Sequence, residues 1–220
     1  MKFTRDDIRK AMLLYAVTDQ MWLKEGEALA DVVEAVLKNG ATFLQIREKD
    51  LAQDVFAAEA ERLKTLCAQR GVPFVVNDSV EIALKIDADG VHVGQSDIKG
   101  RDIRSIIGPD KILGISAGTV EEAIAAEKSG ADYIGVGAIF STSTKKNARS
   151  MTMERLKEIV SSVSIPVVAI GGISAENISQ LSGSGVDGVA VVSAIFAAEN
   201  PGKATANLLK LAEDVVASHG

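Results

Sequence analysis

The chain has 220 residues, 47% of them hydrophobic, with a formal net charge of −6 and a pI near 5.1. This size buries a substantial core and suits one domain over 1–220, while the acidic balance argues against a general nucleic-acid binder, which needs clustered cations. No apolar run approaches the roughly 20 residues that span a bilayer, the charged start MKFTRDDIRK lacks a signal-type apolar core, and the single Cys67 excludes an intrachain disulfide or a multi-cysteine metal site, so a cytoplasmic protein is expected.

Residues 1 to 12 read as an extra helix packed outside the remaining architecture. Thereafter short β-rich runs alternate with segments of helical spacing. The runs are LLYAVTD (13–19), FLQIRE (43–48), PFVVND (73–78), GVHVG (90–94), ILGISA (112–117), YIGVGAI (133–139), VVAIGG (167–172) and GVAVVSAI (188–195). Gly40, Gly71 and Gly130 stand where helices end, Thr119 with Glu122 matches a capping box, and Ser174 stands where it would cap the helix after VVAIGG. KNGATF, EKSGADYIGVG and SGSGVDGVAVV echo one another, as one βα unit reused would. Strands separated by helices imply parallel pairing with right-handed crossovers, and eight such units fit a closed (β/α)8 TIM barrel. An open doubly wound sheet would carry a glycine fingerprint after its first strand, and YAVTDQMWLKEG has none.

In such a barrel the site is built at the strand carboxyl ends, and polar residues gather there. In FLQIREKD, Gln45, Arg47 and Lys49 share one face with Phe43, an arrangement that demands water, a partner or an anion. Asn77 and Asp78 end the third run, Gln95, Ser96 and Asp97 follow the fourth, and Ser116 closes the fifth. Asp78 and Asp97 could form an acid/base pair, cap helices, or serve as oxygen ligands for Mg2+; the neighbouring cations favour the metal, with Asp97 as an N-cap the main rival. Loop six, FSTSTKKNARS, carries Thr142, Ser143, Thr144, Lys145, Lys146 and Arg149 and reads as a lid. After runs seven and eight, Gly172, Val192 and Ser193 place small residues where backbone N–H groups can approach a phosphate. His92 suits a hydrogen-bonded core position better than a base, His219 lies at the terminus, and no Ser-His-Asp or Cys-His set can be assembled.

QIREKD, VND, DGVHVGQSD, GISAGT, GADYIGVGAIFSTSTKK, IPVVAIGGIS and GVAVVSAI, taken in order, resemble the successive motifs of the thiamine phosphate synthase family over residues 13 to 196. The resemblance implies a Mg2+-dependent transferase. It would join 4-amino-2-methyl-5-hydroxymethylpyrimidine diphosphate to 4-methyl-5-(2-hydroxyethyl)thiazole phosphate through a carbocation-type substitution. By motif, Gln45, Arg47, Lys49, Asn77, Ser116 and Lys145 would hold the pyrimidine diphosphate, with Arg47, Lys49, Lys145 and Ser116 catalytic and Asp78 and Asp97 on the metal. Thr142, Ser143, Thr144, Gly172, Val192 and Ser193 would hold the thiazole phosphate.

The implied partners are thus two small phosphorylated heterocycles, with no nucleic acid and no membrane, and a homo-oligomer is compatible with the sequence. Gly118 stands where the family often has histidine, Ser79 where Arg or Asp is frequent, and Ala138 and Ser141 where prolines are common. The sister thiazole tautomerases use that histidine and tend to lack the aspartates, so Gly118, Asp78 and Asp97 point away from them. A metabolite sensor on the same fold would have no need of the converging charges.

Overall fold

All eight β-rich runs form strands in a computed structural model that describes residues 2–48, 51–141 and 151–218. They are β1 (Leu14–Val17), β2 (Phe43–Ile46), β3 (Phe74–Asn77), β4 (Gly90–Val93), β5 (Ile112–Ala117), β6 (Tyr133–Val136), β7 (Val167–Ile170) and β8 (Gly188–Val191). Every neighbouring pair is parallel, and β8 pairs with β1, closing the barrel in sequence order. The helices are α1 (Arg5–Ala11), α2 (Leu29–Lys38), α3 (Gln53–Arg70), α4 (Val80–Lys85), α5 (Ile103–Ile107), α6 (Val120–Lys128), α7 (Met153–Ser161), α8 (Ser193–Phe196) and α9 (Pro201–Ala217). No described helix is long and apolar enough to cross a membrane.

The period of two sorts each strand into an outward and an inward set. Leu14, Ala16, Leu44, Ile46, Phe74 and Val76 face the helices, while Tyr15, Val17, Phe43, Val75, Tyr133 and Val168 fill the barrel interior. α1 is the expected extra helix. Its Ile8, followed by Met12, is fully buried against the interior cluster, so the segment closes the amino-terminal floor. Its Thr4–Asp7 capping box holds that start in place.

The echoing phrases have a shared mechanical task. One residue ahead of each even-numbered strand, a side-chain oxygen accepts a backbone N–H from the preceding strand. Thr42 Oγ1 takes Leu14 N at 2.8 Å, Asp89 takes Phe74 N at 3.0 Å, Asp132 takes Leu113 N at 2.8 Å and Asp187 takes Val167 N at 2.8 Å. The amino end of the barrel is thus satisfied by four built-in acceptors, leaving the carboxyl end free for chemistry.

Two local expectations are corrected. The segment after β7 forms only a four-residue 3-10 turn, Ile178–Leu181, and Ser174 does not cap it: its hydroxyl accepts from Glu176 N while Ser174 N donates to Asn177. Thr119 does accept Glu122 N at 3.1 Å, but the glutamate reaches back to Gly118 N at 2.6 Å rather than to Thr119, giving a capping box displaced by one residue.

Candidate active site at the carboxyl ends of the strands

A cavity of about 610 Å3 opens at the carboxyl ends of the strands. Its wall contains Gln45, Arg47, Asn77, Asp78, Asp97 and Ser116 together with Gly172, Val192 and Ser193, so every described residue expected at the site lies on one mouth. Lys49, Thr142, Ser143, Thr144 and Lys145, and with them the proposed lid, lie outside the described residues, as does His219.

β2 answers the question raised by FLQIREKD. Phe43 and Gln45 point inward and are buried, and Arg47, one step beyond the strand, reaches the cavity wall. Arg47 Nη1 meets Asp19 Oδ2 at 3.4 Å, a long ion pair that steers the guanidinium from the end of β1. Glu48 takes the opposite face, as alternation requires. It accepts from Thr18 Oγ1 at 2.7 Å and from Gln20 N at 3.1 Å, and burial pushes its carboxyl pKa up. It braces the β1 and β2 ends without lining the cavity.

Asp78 sits immediately after β3 with φ of 61°, in the left-handed region that aspartate tolerates better than most residues. Its carboxyl pKa is raised, first because surrounding protein strips water from it although the residue is exposed at the rim, and second because Asp97 faces it. Asp97 is not a helix N-cap: Asp102 caps α5, while Asp97 Oδ2 accepts Gly94 N at 2.9 Å and folds the loop after β4. The cap alternative is thereby removed, and two carboxylates confront one another at the mouth. Ser79, a departure from the family pattern, caps α4 by accepting Ile82 N at 3.3 Å.

Opposite these acids lies a backbone cradle. Gly172 has φ of 68°, and a Cβ there would stand 2.4 Å from Ser141 O and 2.8 Å from Phe140 O, so only glycine lets loops six and seven approach this closely. Asn177 Nδ2 donates to Gly172 O at 2.8 Å and fixes the peptide. Ser193 opens α8, whose first-turn N–H groups have no intrahelical acceptor.

His92 occupies the interior, with Nδ1 3.0 Å from Tyr133 Oη and Nε2 3.0 Å from Ser116 Oγ, as the core reading expected. Sequence reasoning missed Asp19, Tyr15 and Glu122. Asp19 follows β1 in YAVTD, and its position at a strand end was the available signal. Glu122 lines the cavity and accepts Gly118 N at 2.6 Å.

Fold and site together define a (β/α)8-barrel enzyme whose polar groups converge on one carboxyl-end mouth. The family model for thiamine monophosphate synthase matches residues 14–195. A thiamine-phosphate synthase of Ruminiclostridium cellulolyticum is 50% identical over 198 residues, covering 90% of this chain and 94% of that protein, and one of Clostridium botulinum is 49% identical over 195 residues, covering 89% and 91%. The solved thiamine phosphate pyrophosphorylase of Pyrococcus furiosus superposes with a TM-score of 0.86 at 40% identity, covering 94% of this chain and 98% of that one. The chain belongs to the thiamine monophosphate synthase family. The tautomerase alternative draws no support from these relatives.

Proposed function

We infer that this chain, as a single-domain transferase, joins 4-amino-2-methyl-5-hydroxymethylpyrimidine diphosphate to 4-methyl-5-(2-hydroxyethyl)thiazole phosphate, releasing thiamine phosphate and diphosphate. The observation that carries the reading is the gathering of Arg47, Asn77, Asp78, Asp97 and Ser116 with the Gly172 and Ser193 backbone on one cavity wall. The bond from the pyrimidine methylene carbon to the diphosphate oxygen breaks, and its electron pair leaves with diphosphate. The aminopyrimidine ring spreads the resulting positive charge, and the thiazole nitrogen donates the pair that forms the new C–N bond. No protein nucleophile is needed. The protein's work is charge stabilisation and alignment.

Arg47 stabilises the departing diphosphate, with Asn77 as a neutral donor beside it. Gly172 and Ser193 offer N–H groups to the thiazole phosphate from the opposite wall, holding the nucleophilic nitrogen in line. Lys49, Lys145 and the residues Thr142 to Thr144 enter this proposal through the family resemblance alone.

Mg2+ is the implied metal, and the residues fit it. A hard dication takes oxygen ligands, commonly one or two carboxylates plus water and substrate phosphate. Burial first and the facing Asp97 carboxylate second raise the Asp78 pKa, and a bound cation would relieve that repulsion. Bound there, Mg2+ supplies neutralising charge to the diphosphate. Incubating the purified protein with both heterocycles and Mg2+ should yield thiamine phosphate, and diphosphate should appear slowly without the thiazole. Absence of thiamine phosphate from a folded preparation overturns the proposal.

A further inference from the structure

The charges on the cavity wall run against the anion the site is read to hold. Among the described residues the wall carries one cation, Arg47, against Asp78, Asp97 and Glu122. Arg47 is in turn paired with a further acid, Asp19, which does not line the cavity.

The start of loop one is built to keep Asp19 there. Thr18 N donates to Gln45 O at 3.0 Å, Thr18 Oγ1 accepts Arg47 N at 3.0 Å and donates to Glu48 Oε1 at 2.7 Å, and Gln20 N donates to Glu48 Oε2 at 3.1 Å. The residues on either side of Asp19 are therefore bonded to the end of β2. Asp19 divides its own oxygens between two tasks. Oδ1 accepts Met21 N at 3.2 Å and caps the 3-10 turn Gln20–Trp22, leaving Oδ2 for the guanidinium at 3.4 Å. The Arg47 and Asp19 side chains are 17% and 16% exposed, so water screens the two charges weakly. Yet the bond is long and uses one N–H. Among the described residues the guanidinium has no other hydrogen-bond partner, so most of its fork is left for an anion.

We propose that Asp19 is a positioning residue that serves as the exchangeable counter-ion of Arg47: it holds the guanidinium in the open site, cedes it to diphosphate, and by its charge keeps that diphosphate releasable. The inference rests on the synthase reading above, in which Arg47 receives the leaving group. Removing the charge has two opposed effects. An untethered guanidinium binds an anion less well, by up to about fivefold, the scale of a weak ion pair. Removing a carboxylate that lies one guanidinium away from the anion lifts a repulsion of at least about tenfold for each unit of charge the anion carries. Diphosphate keeps a net negative charge even with Mg2+ offsetting two units, so the second effect is the larger. Loss of the Asp19 charge should tighten diphosphate binding, whereas damage to the site would weaken it.

The test measures, by calorimetry on the full chain, the Kd of inorganic diphosphate with Mg2+, and in the synthase assay the Ki of diphosphate as product inhibitor. Asp19→Asn removes the charge and keeps a side chain that caps the turn. It should lower both constants about tenfold and leave KM for the thiazole phosphate unchanged. Glu25→Gln, which removes an exposed acid of the same loop, should leave both at the wild-type values. If Asp19→Asn does not fold, Asp19→Ser poses the same question, since serine also caps. Unchanged or weakened diphosphate affinity in the folded Asp19 variant overturns the counter-ion role, and so does an equal gain in Glu25→Gln. A wild type that binds diphosphate but makes no thiamine phosphate overturns the synthase reading instead, because the affinity shift is read without turnover.

Discussion

Gly114 offers a direct measure of how tightly the barrel interior is built. Gly114→Ala adds a single methyl group on β5, pointing at Tyr133 Cζ 2.2 Å away, Tyr133 Oη at 2.3 Å and His92 Nδ1 at 2.5 Å. Ordinary carbon contacts begin near 3.5 Å, so the tyrosine ring must retreat by about 1 Å. It has nowhere to go, being fully buried and packed edge-on against Tyr15 and Phe43, with centroids 5.8 and 5.5 Å away. Overpacking of this kind costs about 1–3 kcal/mol. If the ring escapes by breaking its bond to His92, an unpaired buried group adds about 1–3 kcal/mol more. At roughly 2–4 °C per kcal/mol for a chain of this size, a thermal melt should fall by roughly 5–20 °C. Adding Tyr133→Phe removes the Oη contact but leaves the Cζ one, so only part of the loss should return. A Gly114→Ala melt within roughly 2 °C of the wild type would refute the packing argument.

Arg47→Ala should lower kcat/KM with the pyrimidine diphosphate by about 10²–10³-fold, the usual scale for one lost charge-stabilising donor, and near-normal kinetics would remove Arg47 from the proposed machinery. Asp78→Asn keeps a residue tolerant of positive φ but should raise the Mg2+ concentration needed for half-maximal activity; an unchanged metal dependence would return Asp78 to a structural role. The same variant should melt higher than wild type in chelator at pH 7. The raised Asp78 pKa means that ionisation opposes folding, a penalty absent below the ordinary carboxylate value near about 4 and complete above the raised one, so the difference should vanish in acid. Arg104→Met should cost about 2–4 kcal/mol in a denaturant melt, since the guanidinium holds the carbonyls of Gly108, Lys111 and Gly130 and pairs with Asp132 at 2.7 Å.

Much of this protein was legible before any coordinates. Alternating strand and helix periods imply a closed parallel barrel because each βα unit can bury its apolar face only against its neighbours, and all eight runs became strands. Polar residues at strand ends marked the functional mouth for the same reason: Arg47, Asn77, Asp78, Asp97 and Ser116 cannot be spared from water inside a strand unless they line a cavity. What the linear order could not reveal was which distant side chains meet. Asp97 reads locally as a cap, and only the fold of its loop turns it toward Gly94 N and opposite Asp78.

The line of hydrogen-bonded side chains Gln45, Tyr15, Tyr133, His92 and Ser116 across the barrel interior was beyond sequence reasoning for the same reason. Its members come from five strands and lie up to 118 positions apart, as Tyr15 and Tyr133 do. Period two tells which face each occupies, but the height of a side chain along the barrel axis depends on strand register, and register is settled only when all eight strands close together.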